Sequence, residues 1–92
     1  MLESDPNKAD ANLKKHWVSF KAARRFVWDT AMEFRDDRKP YPEVRTVATG
    51  LIGNNVHVWV FVRRGRRIRT ISLRIANEKE TRRYVAFTHD MG

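Results

Sequence analysis

The stretch 44–75 constrains the fold more than any other part of this chain. Residues 44–51 are rich in β-branched side chains, and 56–62 (Val-His-Val-Trp-Val-Phe-Val) is the strongest strand signal in the sequence. Between them lies Gly53-Asn54-Asn55, residue types that tolerate positive φ and therefore turn tightly. A second turn around Arg64-Gly65 leads into a third strand at 68–75. Three consecutive strands with tight turns predict an antiparallel meander.

The flanks read differently. Helix one is predicted over 5–15, with Asp5 as N-cap and Pro6 at the first helical position. Helix two is predicted over 20–28, capped by Ser19, because Phe20, Ala23, Phe26 and Val27 recur at helical spacing. Asp29-Thr30 ends it. A short strand at 31–35 and a charged, proline-bearing loop at 36–42 follow. A last helix spans 77–87, with Asn77 as cap and Glu80 at its third position, an arrangement like a capping box. The order α-α-β-β-β-β-α predicts an α+β fold: two N-terminal helices, a four-stranded, mainly antiparallel sheet and a C-terminal helix. With 92 residues, 1–92 forms one domain with a modest core.

With a turn at Arg64-Gly65, Val62 faces Arg67 and Trp59 faces Thr70. One sheet face then carries Val56, Val58, Val60, Ile71 and Leu73, and helices are expected to pack there. The other carries His57, Trp59, Phe61, Ile68, Thr70, Ser72 and Arg74. That second face has two readings: a nucleic-acid surface, since aromatic rings stack bases and arginine clamps phosphate, or a face covered by helix with His57 hydrogen-bonded inside. A turn one residue longer would exchange the faces.

Charge bears on the choice. Nineteen Lys and Arg against eleven Asp and Glu give a formal charge of +8. Arg63, Arg64, Arg66, Arg67 and Arg69 fall in one short run. Such a surface attracts polyanions. There is no cysteine, hence no disulfide framework or thiolate chemistry, which is compatible with the cytoplasm. No apolar run approaches a membrane span of about 20 residues, the polar start is no signal peptide, and no membrane partner is expected. Three scattered histidines without paired carboxylates do not match metal-ligand spacing, so no metal or other cofactor is expected.

On the wheel of helix one, Asp5, Lys8, Asn12, Lys15 and His16 fall within about 100°. They form either a functional polar stripe or a solvated face with an Asp5–Lys8 pair. In the last helix Glu80, Arg83, Tyr84 and Phe87 share a stripe. Tyr84 is there either a core residue or a catalytic hydroxyl.

These residues also carry a resemblance. The segment Asp5-x-x-Lys8-x-x-x-Asn12-x-x-Lys15-His16-x-Val18-x-Phe20-x-x-Ala23 resembles the opening of the BrnT toxin family. The segment Arg67-Ile68-Arg69-x-Ile71-Ser72-x-Arg74-x-Ala76-x-x-x-Glu80-x-x-x-Tyr84 resembles its closing motif. The chain departs from the family pattern at Ser4, where an aromatic is usual, and at Trp17, where glycine is usual. The resemblance implies a RelE/ParE-like fold and metal-independent endoribonuclease activity. It also implies a cognate antitoxin with a ribbon-helix-helix part, through which alone the complex would bind operator DNA.

RNA cleavage without a metal uses the 2′-hydroxyl as nucleophile. It needs a base, cations for the phosphorane charge and an acid for the leaving 5′-oxygen. His16 suits base or acid. Lys15, Arg69 and Arg74 suit the phosphate charge, and Tyr84 or Glu80 a proton transfer. Lys8, Asn12, Trp59 and Ser72 are the expected RNA contacts. Two rivals use the same surface: a non-catalytic RNA- or DNA-binding module, and a small protein that uses its charge only to hold an acidic partner.

Overall fold

In the computed structural model, which describes residues 2–91, the meander forms as expected within a larger sheet. The elements are β1 (Leu2–Ser4), α1 (Pro6–His16), a 3-10 helix (Phe20–Arg25), β2 (Met32–Arg35), β3 (Thr46–Ile52), β4 (Asn55–Arg64), β5 (Arg67–Ile75) and α2 (Glu78–Met91). The strand order is β1-β5-β4-β3-β2. Neighbours from β2 to β5 are antiparallel, while β1 runs parallel to β5, pairing Leu2 with Ile68 and Ser4 with Thr70. The class is α+β as expected, but the sheet has five strands and is mixed, not four. Residues 2–4 carry one apolar side chain and no alternation. Backbone bonding to the free edge of β5 makes that strand, and pairing of this kind leaves no side-chain pattern.

The second predicted helix is a 3-10 helix. Ser19 caps it, its Oγ accepting from the Lys21 N–H at 3.2 Å. Phe20, Ala23 and Phe26 are all buried, whereas Val27 is exposed. Spacings of three and three align side chains on one line when a turn takes 3.0 residues. The fourth residue that suggested a 3.6 period faces outward. The last helix also outruns its expected end at 87, since 88–91 contain neither glycine nor proline to stop it.

Both hairpins turn on two residues with glycine first, Gly53 at φ 61° and Gly65 at φ 60°. The second turn is therefore Gly65-Arg66, and Val62 pairs with Arg69, not Arg67. From there Phe61 pairs with Thr70, then Val60 with Ser72, Trp59 with Leu73 and Val58 with Arg74. Ile71 is the unpaired extra residue, a β-bulge. Ahead of the bulge the faces are as expected, with Phe61 and Thr70 together. Beyond it they exchange: Leu73 joins Trp59, and Ser72 and Arg74 move to the valine side with Arg69.

The main core lies on the aromatic side. Trp59, Phe61 and Leu73 are wholly buried there, with Ala48, Val18, Phe20, Ala23, Phe26 and Ile52. The Trp59 ring packs 4.7 Å from Phe61 and 5.2 Å from both Phe26 and Trp28. Its Nε1–H donates to Thr70 Oγ1 at 3.1 Å, so the buried indole keeps a partner. The 3-10 helix and the segment leading into it thus cover the aromatic face, not the valine face as expected. Bulky rings need the deeper cover. Val58 and Val62 are still buried. Val58 shares its surroundings with Glu80 and Arg83 of α2 and with the segment after β2.

Helix α1 starts as predicted. Asp5 accepts from the Asn7 N–H at 2.8 Å and Pro6 follows. The Asp5–Lys8 pair is replaced by one between Lys14 and Asp10 at 3.0 Å. Asn12 fixes the helix to the sheet. Its Nδ2 donates to Leu73 O (2.7 Å) and Val18 O (3.0 Å), and its Oδ1 accepts from Leu73 N (3.1 Å). The amide thus continues along β5 the edge pairing that β1 begins. The helix ends at Trp17, whose N–H donates to Leu13 O at 2.9 Å and whose φ is 62°. A non-glycine residue in that left-handed conformation costs roughly 1–2 kcal/mol.

Candidate functional site

The bulge at Ile71 decides what the valine face carries. Arg69, Ser72 and Arg74 stand opposite Val62, Val60 and Val58. The face is a row of valines beside a row of polar side chains. The segment 36–45 borders it on one side and α1 approaches β5 on the other. Two clefts open along it. One is lined by Phe34, Asp36, Arg38, Val47, Val58, Val60, Arg74 and Glu80. The other is lined by Lys8, Tyr41, Glu43, Arg45, Val62, Arg64, Arg69 and Ile71.

Arg74 is held as a fork. Its Nη1 and Nη2 each donate to one oxygen of Glu80, both at 2.7 Å. Glu80 completes the capping box expected from Asn77. Its Oε1 accepts from the Asn77 N–H at 2.9 Å, and its own N–H donates to Asn77 Oδ1 at 2.8 Å. One carboxylate therefore starts α2 and orients the guanidinium. The Arg74 hydrogen bonds hold the Glu80 carboxyl below its ordinary range, against the opposing effect of burial. Glu80 is thus an anion at neutral pH and carries no proton to donate.

His16 is half-buried in the last residue of α1. Burial pushes its imidazole below the ordinary 6.5, and the charges of Lys15 and Arg74 push the same way. The ring is therefore neutral at pH 7 and able to accept a proton. Lys15 is exposed beside it. Lys8, two turns earlier, shares the second cleft with Arg69.

Three expected site residues, Trp59, Asn12 and Tyr84, fall elsewhere or do other work. Trp59 is wholly buried among aromatic rings, so no base can stack on it. Asn12 is buried with its amide engaged by backbone. Tyr84 is a core residue, its hydroxyl 2.9 Å from Thr30 Oγ1. His57, on the same face as Trp59, is buried with Nδ1 2.9 Å from Asn55 O. The covered-face reading therefore holds for the aromatic side.

The arginine run is less free than its charge suggests. Arg63 pairs with Glu33 (2.8 Å), Arg64 with Glu43 (2.6 Å) and Arg67 with Glu3 (3.3 Å). Arg69 forms no ion pair among the described residues, and its charge reaches Glu43 only at a distance.

Sequence reasoning missed Arg38. It pairs with the buried Asp36 through Nε and Nη2, both at 2.9 Å, and its positive charge is felt at Arg74. The Arg38 hydrogen bond draws the Asp36 carboxyl down to about 2. Arg45 lies over the Tyr41 ring at 4.0 Å. The only sequence signal for Arg38 was a charged loop at 36–42. Nothing in its spacing says that it closes over the sheet.

Among the described residues no three His, Asp or Glu side chains are placed to share a metal ion, and no helix is long and apolar enough to cross a membrane. Compared with known families, residues 5–80 match the model described as "Ribonuclease toxin, BrnT, of type II toxin-antitoxin system". No curated protein matches the chain.

Proposed function

The chain belongs to the BrnT family of ribonuclease toxins of type II toxin–antitoxin systems, and from that premise we propose that its valine face is a metal-independent endoribonuclease site. The reading rests above all on one observation: Arg74, held as a fork by Glu80, stands on the same face as Arg69 and Ser72, and its charge is felt at His16. In this reading His16 takes the proton from the ribose 2′-hydroxyl, whose oxygen attacks the adjacent phosphorus. The P–O5′ bond breaks, a 2′,3′-cyclic phosphate is left, and the departing 5′-oxygen takes a proton from solvent water. Arg74 and Lys15 hold the charge that builds on the phosphorane oxygens. Arg69, Ser72 and Lys8 carry the neighbouring phosphates along the groove. Glu80 positions Arg74 and transfers no proton.

The test is cleavage of a structured RNA by the purified protein, with and without EDTA, across pH. Products should form equally fast in chelator. A base of lowered pKa works once it is deprotonated, so activity should fall on acidification with a midpoint below 6.5. His16→Asn should abolish that acid limb. Activity lost in EDTA and restored by a divalent ion would refute the mechanism. RNA that is retarded on a gel but intact would make the protein a binder only.

A ribonuclease free in the cytoplasm would damage its own cell. We therefore propose that the antitoxin, of ribbon-helix-helix type, lays an acidic segment over Lys15, Arg69 and Arg74 and competes with RNA. Its DNA-binding part then stays free to take the complex to operator DNA. Contacts that are partly ionic slow in association as salt rises. Co-expression with the adjacent gene should yield a complex that leaves RNA uncut. A complex as active as the free protein would rule this out.

A further inference from the structure

Among the described residues Trp17 is the one non-glycine residue with positive φ. Glycine takes that conformation freely and is the usual residue where a helix ends this way. A tryptophan there is unfavourable unless its side chain repays the cost, and in the folded protein it does not. The ring is 88% exposed, and among the described residues no ring contact, ion pair or side-chain hydrogen bond engages it. Folding therefore gives no account of this residue, and an outlier of this kind points to a function.

Its surroundings suggest which. Trp17 directly follows Lys14, Lys15 and His16, at the end of α1 whose imidazole feels the Arg74 charge. A polyanion drawn to those cations passes beside an unoccupied indole. Trp59, the aromatic that the sequence offered for stacking, is sealed in the core.

We propose that Trp17 is a stacking platform for one unpaired base of single-stranded RNA, next to the phosphate held by Lys15 and Arg74. The proposal rests on the ribonuclease reading for its substrate class. It adds a contact that is tolerant of base identity, because every base offers a π-face. The backbone cost is accepted in exchange for an exposed ring beside the cations that end α1.

The test uses a short 2′-O-methyl oligoribonucleotide, which binds but has no 2′-hydroxyl to attack. It is titrated against the wild type, Trp17→Gly and Trp17→Phe while tryptophan emission is followed. Trp17 is the most exposed of the three tryptophans, so its red-edge emission should be quenched by the oligonucleotide. Trp17→Gly should lose that component, bind about tenfold more weakly and melt at a higher temperature, because glycine relieves the backbone. Trp17→Phe should keep most of the affinity without the stability gain. On cleavable RNA, Trp17→Gly should raise KM more than it lowers kcat.

A more stable Trp17→Gly with unchanged affinity and KM would overturn the proposal. So would a loss confined to the complex with the adjacent gene's product, which would make Trp17 a protein contact. Quenching by the oligonucleotide in a protein that cuts no RNA would leave the platform standing and remove the ribonuclease reading instead.

Discussion

Arg74→Ala is expected to slow RNA cleavage roughly a hundredfold while the protein still folds. Loss of one positioned donor to a developing oxyanion costs roughly 3 kcal/mol. Arg74 is held in place by two 2.7 Å bonds to Glu80. The variant also leaves the Glu80 carboxylate without its partner. Both side chains are about one-third to one-quarter exposed, so solvent screens the pair and the stability cost should be about 1 kcal/mol. The Arg74→Ala/Glu80→Gln double variant, which removes the unpaired charge but keeps the acceptor for the Asn77 N–H, separates the two effects. It should recover part of that stability and none of the activity. Arg74→Lys keeps the charge but not the fork, and should fall between. Single-turnover rates and thermal melts measure both quantities. A folded Arg74→Ala variant with full activity would leave Arg74 only the task of holding α2.

The largest stability effect is expected at Asn12. Asn12→Ala removes three buried hydrogen bonds and leaves Leu73 N, Leu73 O and Val18 O unpaired. An unsatisfied buried group costs about 1–3 kcal/mol, and the three are coupled, so the total should be about 3–4 kcal/mol. That is a large fraction of the stability of a domain this small. Urea unfolding should show a lower midpoint at an unchanged slope. Asn12→Asp is the stricter test. It keeps the acceptor for Leu73 N but turns a carboxylate toward two carbonyl oxygens. It should be at least as damaging at neutral pH and milder in acid, where the protonated carboxyl again donates. In either variant α1 loosens and takes Lys15 and His16 with it, so cleavage should fall as well. A midpoint unchanged in Asn12→Ala would mean that the amide is not what holds the helix.

Much of the fold was legible because local chemistry and tertiary structure agree. The valine-alternating run of β4, the glycines that open both hairpin turns, the Asp5-Pro6 start of α1 and the Asn77–Glu80 box all do in the structure what their residue types favour. What was not legible depends on long-range pairing. β1 exists because β5 has a free edge. The bulge at Ile71 reflects how two strands fit, and no residue there announces it. The 3-10 helix differs from an α-helix only in whether Val27 shares the stripe of Phe20, Ala23 and Phe26.

The candidate site was legible in composition more than in arrangement. Arg74, Arg69, Ser72, His16 and Lys15 stood out by type, and the capping box tied Glu80 to the start of α2. The expected aromatic surface was misplaced because the exchange of faces beyond Ile71 separates Ser72 and Arg74 from Trp59. Tyr84 read equally well as a core residue, which is where the structure places it, whereas Asn12 read only as part of a functional or solvated polar stripe and is buried instead. Arg38 was hidden in a loop whose path over the sheet no periodicity encodes.

The unpaired Ile71 also bears on how such a chain can change over generations. A substitution at this position alters one side chain. Loss of its codon would restore regular pairing and leave Ser72 opposite Val60, Leu73 opposite Trp59 and Arg74 opposite Val58, so no face would change. The segment thus has one residue to spare, whereas loss of a second would bring Arg74 opposite Trp59 and turn it toward the core. Relatives that keep the arginine on the valine face should therefore match this length here or fall short of it by one residue.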